Sequence, residues 1–135
     1  MTQGSHFQQL LRAAADQPEP QRLLFVFAGA EAPEHPTDEQ RERFLAGRGG
    51  ALTPLMCVDK APVDVADFDA LVAESRCAGP PWQVVFAAGL SGFGGRPPTQ
   101  SQIDPALEKM VNAVRLGAIG QFAAYNSAGE PIQIR

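Results

Sequence analysis

Phe7, Leu10, Leu11 and Ala14 recur at i, i+3, i+4 and i+7, a spacing that puts them on one face of a helix. Ser5 and Gln8 have the spacing of a capping box at its start, and Pro18 and Pro20 end it. The pattern then changes. Arg22–Ala28 is apolar throughout after Arg22, which predicts a strand covered on both faces, as central strands of parallel sheets are. From Gly29 to Gly50 the chain turns polar, with a second capping box at Thr37 and Gln40. The short helix expected there offers Phe44 and Leu45 to a core and pairs Glu39 with Arg43 on its outer side.

Thr53–Val58 reads as a second strand with Pro54 near its start, and Asp64 as the cap of a helix presenting Val65, Phe68, Leu71 and Val72. Gly79-Pro80-Pro81 stops that helix, and Trp82–Ala88 forms a third strand. Asp104-Pro105 marks the next helix start, with Leu107, Met110, Val111 and Val114 facing the core and Gly117 closing it. Gln121–Tyr125 and Pro131–Ile134 flank Asn126-Ser127-Ala128-Gly129 and read as a hairpin. The order α-β-α-β-α-β-α-β-β predicts a single α/β layered domain over residues 1–135, with mainly parallel central strands and a C-terminal antiparallel hairpin.

Composition bounds what such a domain does. A chain of 135 residues, 44% apolar and 19% charged, buries a sizeable core without staples. A net charge of −4 with no basic stripe excludes a nucleic-acid surface, which needs clustered Lys and Arg. The amino terminus lacks the pattern of a secretory signal, and the longest apolar run, Leu23–Ala30, is too short to span a bilayer. Cys57 and Cys77 form no framework, which fits a reducing, cytoplasmic compartment.

Three segments, Arg22–Glu31, Gly50–Lys60 and Gly89–Arg96, taken in this order, resemble a family of short bacterial proteins labelled "ribonucleotide reductase subunit alpha". The resemblance spans nearly the whole chain. It implies no catalytic residue, because the large subunit of a ribonucleotide reductase is several times longer and needs a thiyl-radical cysteine plus redox-active pairs. Two cysteines cannot supply that chemistry.

In parallel sheets, ligands bind beyond the carboxyl ends of the strands. Those ends carry Glu31, then Asp59 and Lys60, then Ser91 and the loop Gly94-Gly95-Arg96. If they converge, Arg96 and the glycine backbone offer a fork and a nest for an anion, on a loop hinged by Pro97 and Pro98. The loop lacks the Lys-Ser/Thr ending of a P-loop, and Gly89-Leu90-Ser91-Gly92 misses the nucleophile elbow by one residue. His6 and His35 are poorly placed as bases, no residues have metal-ligand spacing, and no cofactor is expected. Cys57 in a strand and Cys77 at a helix end read as packing residues, and Trp82 as the cover of a strand's start. The function expected is therefore a non-catalytic binding or protein-interaction module. The alternative is an anionic-metabolite site, or a small enzyme, in the crevice. Self-association is expected to use Pro131–Ile134 or the adjacent helix.

Overall fold

The structure is a computed structural model that describes residues 5–31 and 51–132. Helix α1 covers His6–Ala15, strand β1 Gln21–Glu31 and strand β2 Ala51–Lys60. A 3-10 turn at Pro62–Asp64 leads into helix α2 at Phe68–Ala78 and strand β3 at Val84–Ser91. Helix α3 follows at Gln100–Leu116, and strand β4 at Ala123–Asn126. The helix expected after Thr37 lies outside the described residues.

These strands form one sheet in the order β2-β1-β3-β4, and every neighbouring pair is antiparallel. That overturns the expectation of mainly parallel central strands. The apolar run of β1 reports only that both its faces are covered, and strand direction does not enter. Leu23, Phe25 and Phe27 pack under α1 and α2, while Leu24, Val26 and Ala28 pack under α3. All of them are at most 4% exposed. β2 and β3 run the same way as each other but flank β1, which fills the gap between them in the opposite sense. Helix α2 therefore bridges a split crossover, and helices cover both faces of the sheet.

Each helix start follows from its cap. The Ser5 hydroxyl accepts from the Gln8 N–H at 3.1 Å. Asp67, rather than Asp64, caps α2 by accepting from the Ala70 N–H at 2.8 Å, and Asp64 ends the 3-10 turn. Helix α3 starts before Asp104-Pro105: the Gln102 side chain accepts from the Thr99 N–H at 2.9 Å, and Pro105 lies inside the helix. A proline there costs about 3 kcal/mol. The earlier cap, about 1 kcal/mol, and burial of Ile103 to 3% exposure, about 1.5–3 kcal/mol, together offset it.

The first arm of the C-terminal hairpin begins at Ala123, two residues later than its pattern predicts. The Asn126 side chain accepts from the Ala128 and Glu130 N–H groups, both at 3.0 Å, and so builds the turn. Beyond it Tyr125 bridges Pro131, and the Ile132 N–H donates to Ala124 at 2.9 Å. Ile132, half-buried, packs against the α3-side core at this edge of the sheet, and Ile134 lies outside the described residues. Among the described residues, no helix is long and apolar enough to cross a membrane.

Aromatic contacts tie the first face together. Phe7 meets Phe68 and Tyr125 edge-on, with centroids 5.1 and 5.4 Å away. His6 Nδ1 lies 2.7 Å from the Tyr125 hydroxyl. Trp82 packs edge-on against Phe27 and donates its indole N–H to the Ser75 hydroxyl at 2.8 Å, which in turn donates to the Val72 carbonyl.

Ser75→Ala leaves that buried indole N–H without an acceptor and is expected to cost about 1–3 kcal/mol, read by denaturant unfolding of the single tryptophan's fluorescence. A second outcome concerns the only tyrosine. Burial pushes the Tyr125 phenol up to about 12, because the folded state favours the protonated form. The stability this confers is complete below the unfolded value near 10 and is lost as pH rises through the folded value. Between these limits the wild type is expected to lose on the order of 2 to 3 kcal/mol that Tyr125→Phe does not lose. Tyrosinate absorbance, read alongside unfolding, checks it.

Candidate functional site

Because β2 and β3 run antiparallel to β1, their carboxyl ends meet its amino end. Lys60 stands opposite Leu23, and Ser91 opposite Gln21. Asp59, Lys60, Ser91, Gly94, Gly95 and Arg96 therefore belong to one end of the sheet. Glu31 does not: it closes the far end of β1, opposite Ala51.

Most of the polar groups brought together at this end already have partners. Arg22 Nε donates to Asp59 at 2.7 Å on the α3 face. Lys60 Nζ pairs with Glu74 of α2 at 2.6 Å on the other face. The Gln21 amide donates to the Ser91 hydroxyl at 2.7 Å. The Gly95 N–H, expected to cradle a ligand anion, donates instead to the Glu19 carboxylate at 2.7 Å. The chain's own carboxylate thus occupies the glycine turn.

That turn has a specific geometry. Phe93 and Arg96 exchange backbone hydrogen bonds of 3.0 and 3.1 Å, and Gly94 and Gly95 between them have φ of +63° and +79°. Two central residues with positive φ define a type I′ hairpin turn, which side chains other than Gly and Asn adopt poorly. Gly92 is needed for a different reason, since a Cβ there would collide with the Arg96 carbonyl. The glycines thus build a tight hydrogen-bonded tip, where a hinged open loop was expected. Phe93 stands at this tip 87% exposed. Arg96 opposite it is exposed and has no carboxylate partner among the described residues.

Among the described residues, two concave surfaces lie elsewhere, along edge strand β2. A groove of about 470 Å³ runs between β2 and α3, lined by Cys57 with Leu107 and Val111, and by Asp104 and Glu108. On the opposite face a smaller hollow of about 220 Å³ lies between β2 and α2, below the range that holds a drug-sized ligand. Cys57 borders both and is exposed, as is Cys77, which corrects the expectation that both are packing residues. Partial desolvation of the thiol, and secondarily the Asp59 carboxylate, push Cys57 above its ordinary value, which disfavours a thiolate nucleophile. His6, the one described histidine, is engaged by Tyr125. No group of three His, Cys, Asp or Glu side chains among the described residues could hold a metal.

The rule placing ligands beyond strand carboxyl ends applies to parallel sheets, and in this antiparallel sheet it points to a paired polar rim. In the sequence Asp104 reads only as a helix start, and Phe93 and Glu108 carry no expectation. The signal for Phe93 is the Gly-Gly pair between it and Arg96, which is as much a hairpin signature as an anion loop; Asp104 and Glu108 offer only their i, i+4 spacing. Comparison with known proteins returns no match to any family model, curated protein or solved structure.

Removing the Asp59 charge lowers the Cys57 pKa and leaves Arg22 without its partner; both changes favour a thiolate. In a Cys77→Ser background, Asp59→Asn is expected to speed alkylation of Cys57 at neutral pH. Unchanged rates would show that desolvation alone sets this thiol.

Proposed function

We propose that this domain is a non-catalytic protein-interaction module whose contact element is the Phe93–Arg96 hairpin. The carrying observation is a large aromatic side chain held 87% exposed on a turn fixed by two backbone hydrogen bonds and by the Glu19 carboxylate. Covering an exposed phenylalanine removes apolar area from water at about 25 cal/mol per Å², and a pre-ordered turn lowers the entropy lost on binding. Aromatic and arginine side chains are also the residues that dominate interface energies.

An anionic-metabolite site or an enzyme has less support. Of the basic groups at this end, Arg22 and Lys60 neutralise Asp59 and Glu74, and the large groove carries acidic residues. Two free cysteines accord with a cytoplasmic setting, and the resemblance to the short bacterial family supplies no catalytic residue to set against this reading.

Replacing Phe93 with a benzophenone-bearing analogue in cells expressing the full chain tests it. Discrete protein adducts are expected from position 93 and not from exposed Ala73 of α2. They should vanish when Gly94→Val strains the turn. Equal labelling at both positions, or a stoichiometric small molecule retained by the purified protein in native mass spectrometry, overturns the reading.

A further inference from the structure

We infer that the partner of the hairpin is a second copy of this chain, and that Phe93 and Arg96 of one protomer dock in the groove between β2 and α3 of the other. This inference rests on the interaction-module reading and names its partner.

The groove has the composition to receive that pair of side chains. Along α3, Leu107 and Val111 lie one turn apart and half-buried, so with Cys57 they give it an apolar wall. Asp104 and Glu108, also one turn apart, run beside them toward the start of the helix. Asp104 accepts from the Gln100 amide at 2.6 Å, but neither carboxylate has a cationic partner among the described residues. At the other end of the groove Arg115 is tied to Asn112 at 3.1 Å. The groove thus has Asp104 at one end, an apolar middle bordered by Glu108, and Arg115 at the other end.

The hairpin complements this order. Residues flanking a two-residue turn are directly opposed and project on one side of the ribbon, so Phe93 and Arg96 form a single apolar-plus-cationic element. With Phe93 against Leu107 and Val111, Arg96 meets Asp104 and Glu108 if it points toward the start of α3, and meets Arg115 if it points the other way. Charge therefore selects one orientation. A volume of about 470 Å³ accommodates a benzyl and a guanidinium group together. The hairpin does not fill the groove of its own chain, since Phe93 remains 87% exposed. Leu116, 82% exposed, continues the row of Asp104, Glu108 and Asn112 and adds apolar surface at the margin. Because each chain carries both hairpin and groove, a two-fold pair makes the contact twice and closes on itself.

Sedimentation of the purified full chain over a range of concentrations tests the inference, with Trp82 fluorescence confirming that each variant is folded. The wild type is expected to dimerise, and Phe93→Ser to raise the dissociation constant by about 30-fold or more. Arg96→Glu alone, and Asp104→Lys with Glu108→Lys alone, should each weaken the dimer. All three changes in one chain should restore it to within about fivefold of wild type, since the same charges then meet with signs exchanged. A dimer indifferent to Phe93→Ser, or without rescue by the reversed charges, overturns the docking. Growth past the dimer overturns the two-fold arrangement. A wild-type chain that stays monomeric while position 93 still crosslinks a different protein overturns self-recognition and leaves the module reading standing.

Discussion

Burying both faces of one strand is the constraint from which the rest of this fold follows. Six consecutive side chains of β1, Leu23 to Ala28, are almost wholly removed from solvent, and alternation sends half of them to each side. Neither side can be left to water, so helices must cover both. α1 and α2 supply one cover and α3 the other, and the two cores meet only through the backbone of the sheet. β1 is then a central strand with a neighbour on each edge. Both neighbours run against it, which gathers the ends of β2 and β3 around Arg22.

Much of the local structure was legible because short-range chemistry determines it. The Ser5 cap, the stop at Gly79 and the Asn126 turn depend on residues within a few positions of each other. Strand direction depends instead on which segment lies beside which, and the continuous apolar run of β1 fits a parallel or an antiparallel neighbour equally well. The two shifted helix starts have a related cause. Asp64 and Asp67 are equally good caps by type, and Asp104-Pro105 is a better local start than Thr99. The choice is made by Phe68 and Ile103, whose burial depends on the sheet beneath them. Cys57 misled for the opposite reason: an apolar stretch such as Leu55–Val58 looks buried until its strand turns out to be the edge.

The candidate site was legible as a set of residues and not as an arrangement. Asp59, Lys60, Ser91 and Arg96 are indeed near one another, yet Asp59 and Lys60 project to opposite faces, and each finds an opposite charge supplied by another element. Pairing of this kind balances the charges of the rim within the chain itself. The glycine-rich loop shows the same degeneracy. Positive φ at Gly94 and Gly95 serves a nest or a I′ turn with equal ease, and only the Phe93–Arg96 hydrogen bonds decide between them.

Edge strand β2 bears on how such a domain associates. Among the described residues it has no strand partner on its outer side, and an open edge invites backbone pairing with other chains. Several features oppose that. Pro54 removes a donor, a register irregularity opposite Phe27 and Ala28 distorts the ladder, and Asp59 and Lys60 place charges at the strand's end. These are the devices by which natural sheets discourage strand addition. With the backbone edge disfavoured, what the surface beside it offers is side chains, and the groove that α3 forms along β2 carries both apolar and charged ones. A tip such as Phe93–Arg96, whose backbone hydrogen bonds are already satisfied within its own turn, can contribute only side chains to a partner. A surface that discourages strand pairing and a tip that cannot provide it are therefore matched in kind, and the recognition proposed between them would depend on shape and charge, which sequence can tune without risking open-ended aggregation.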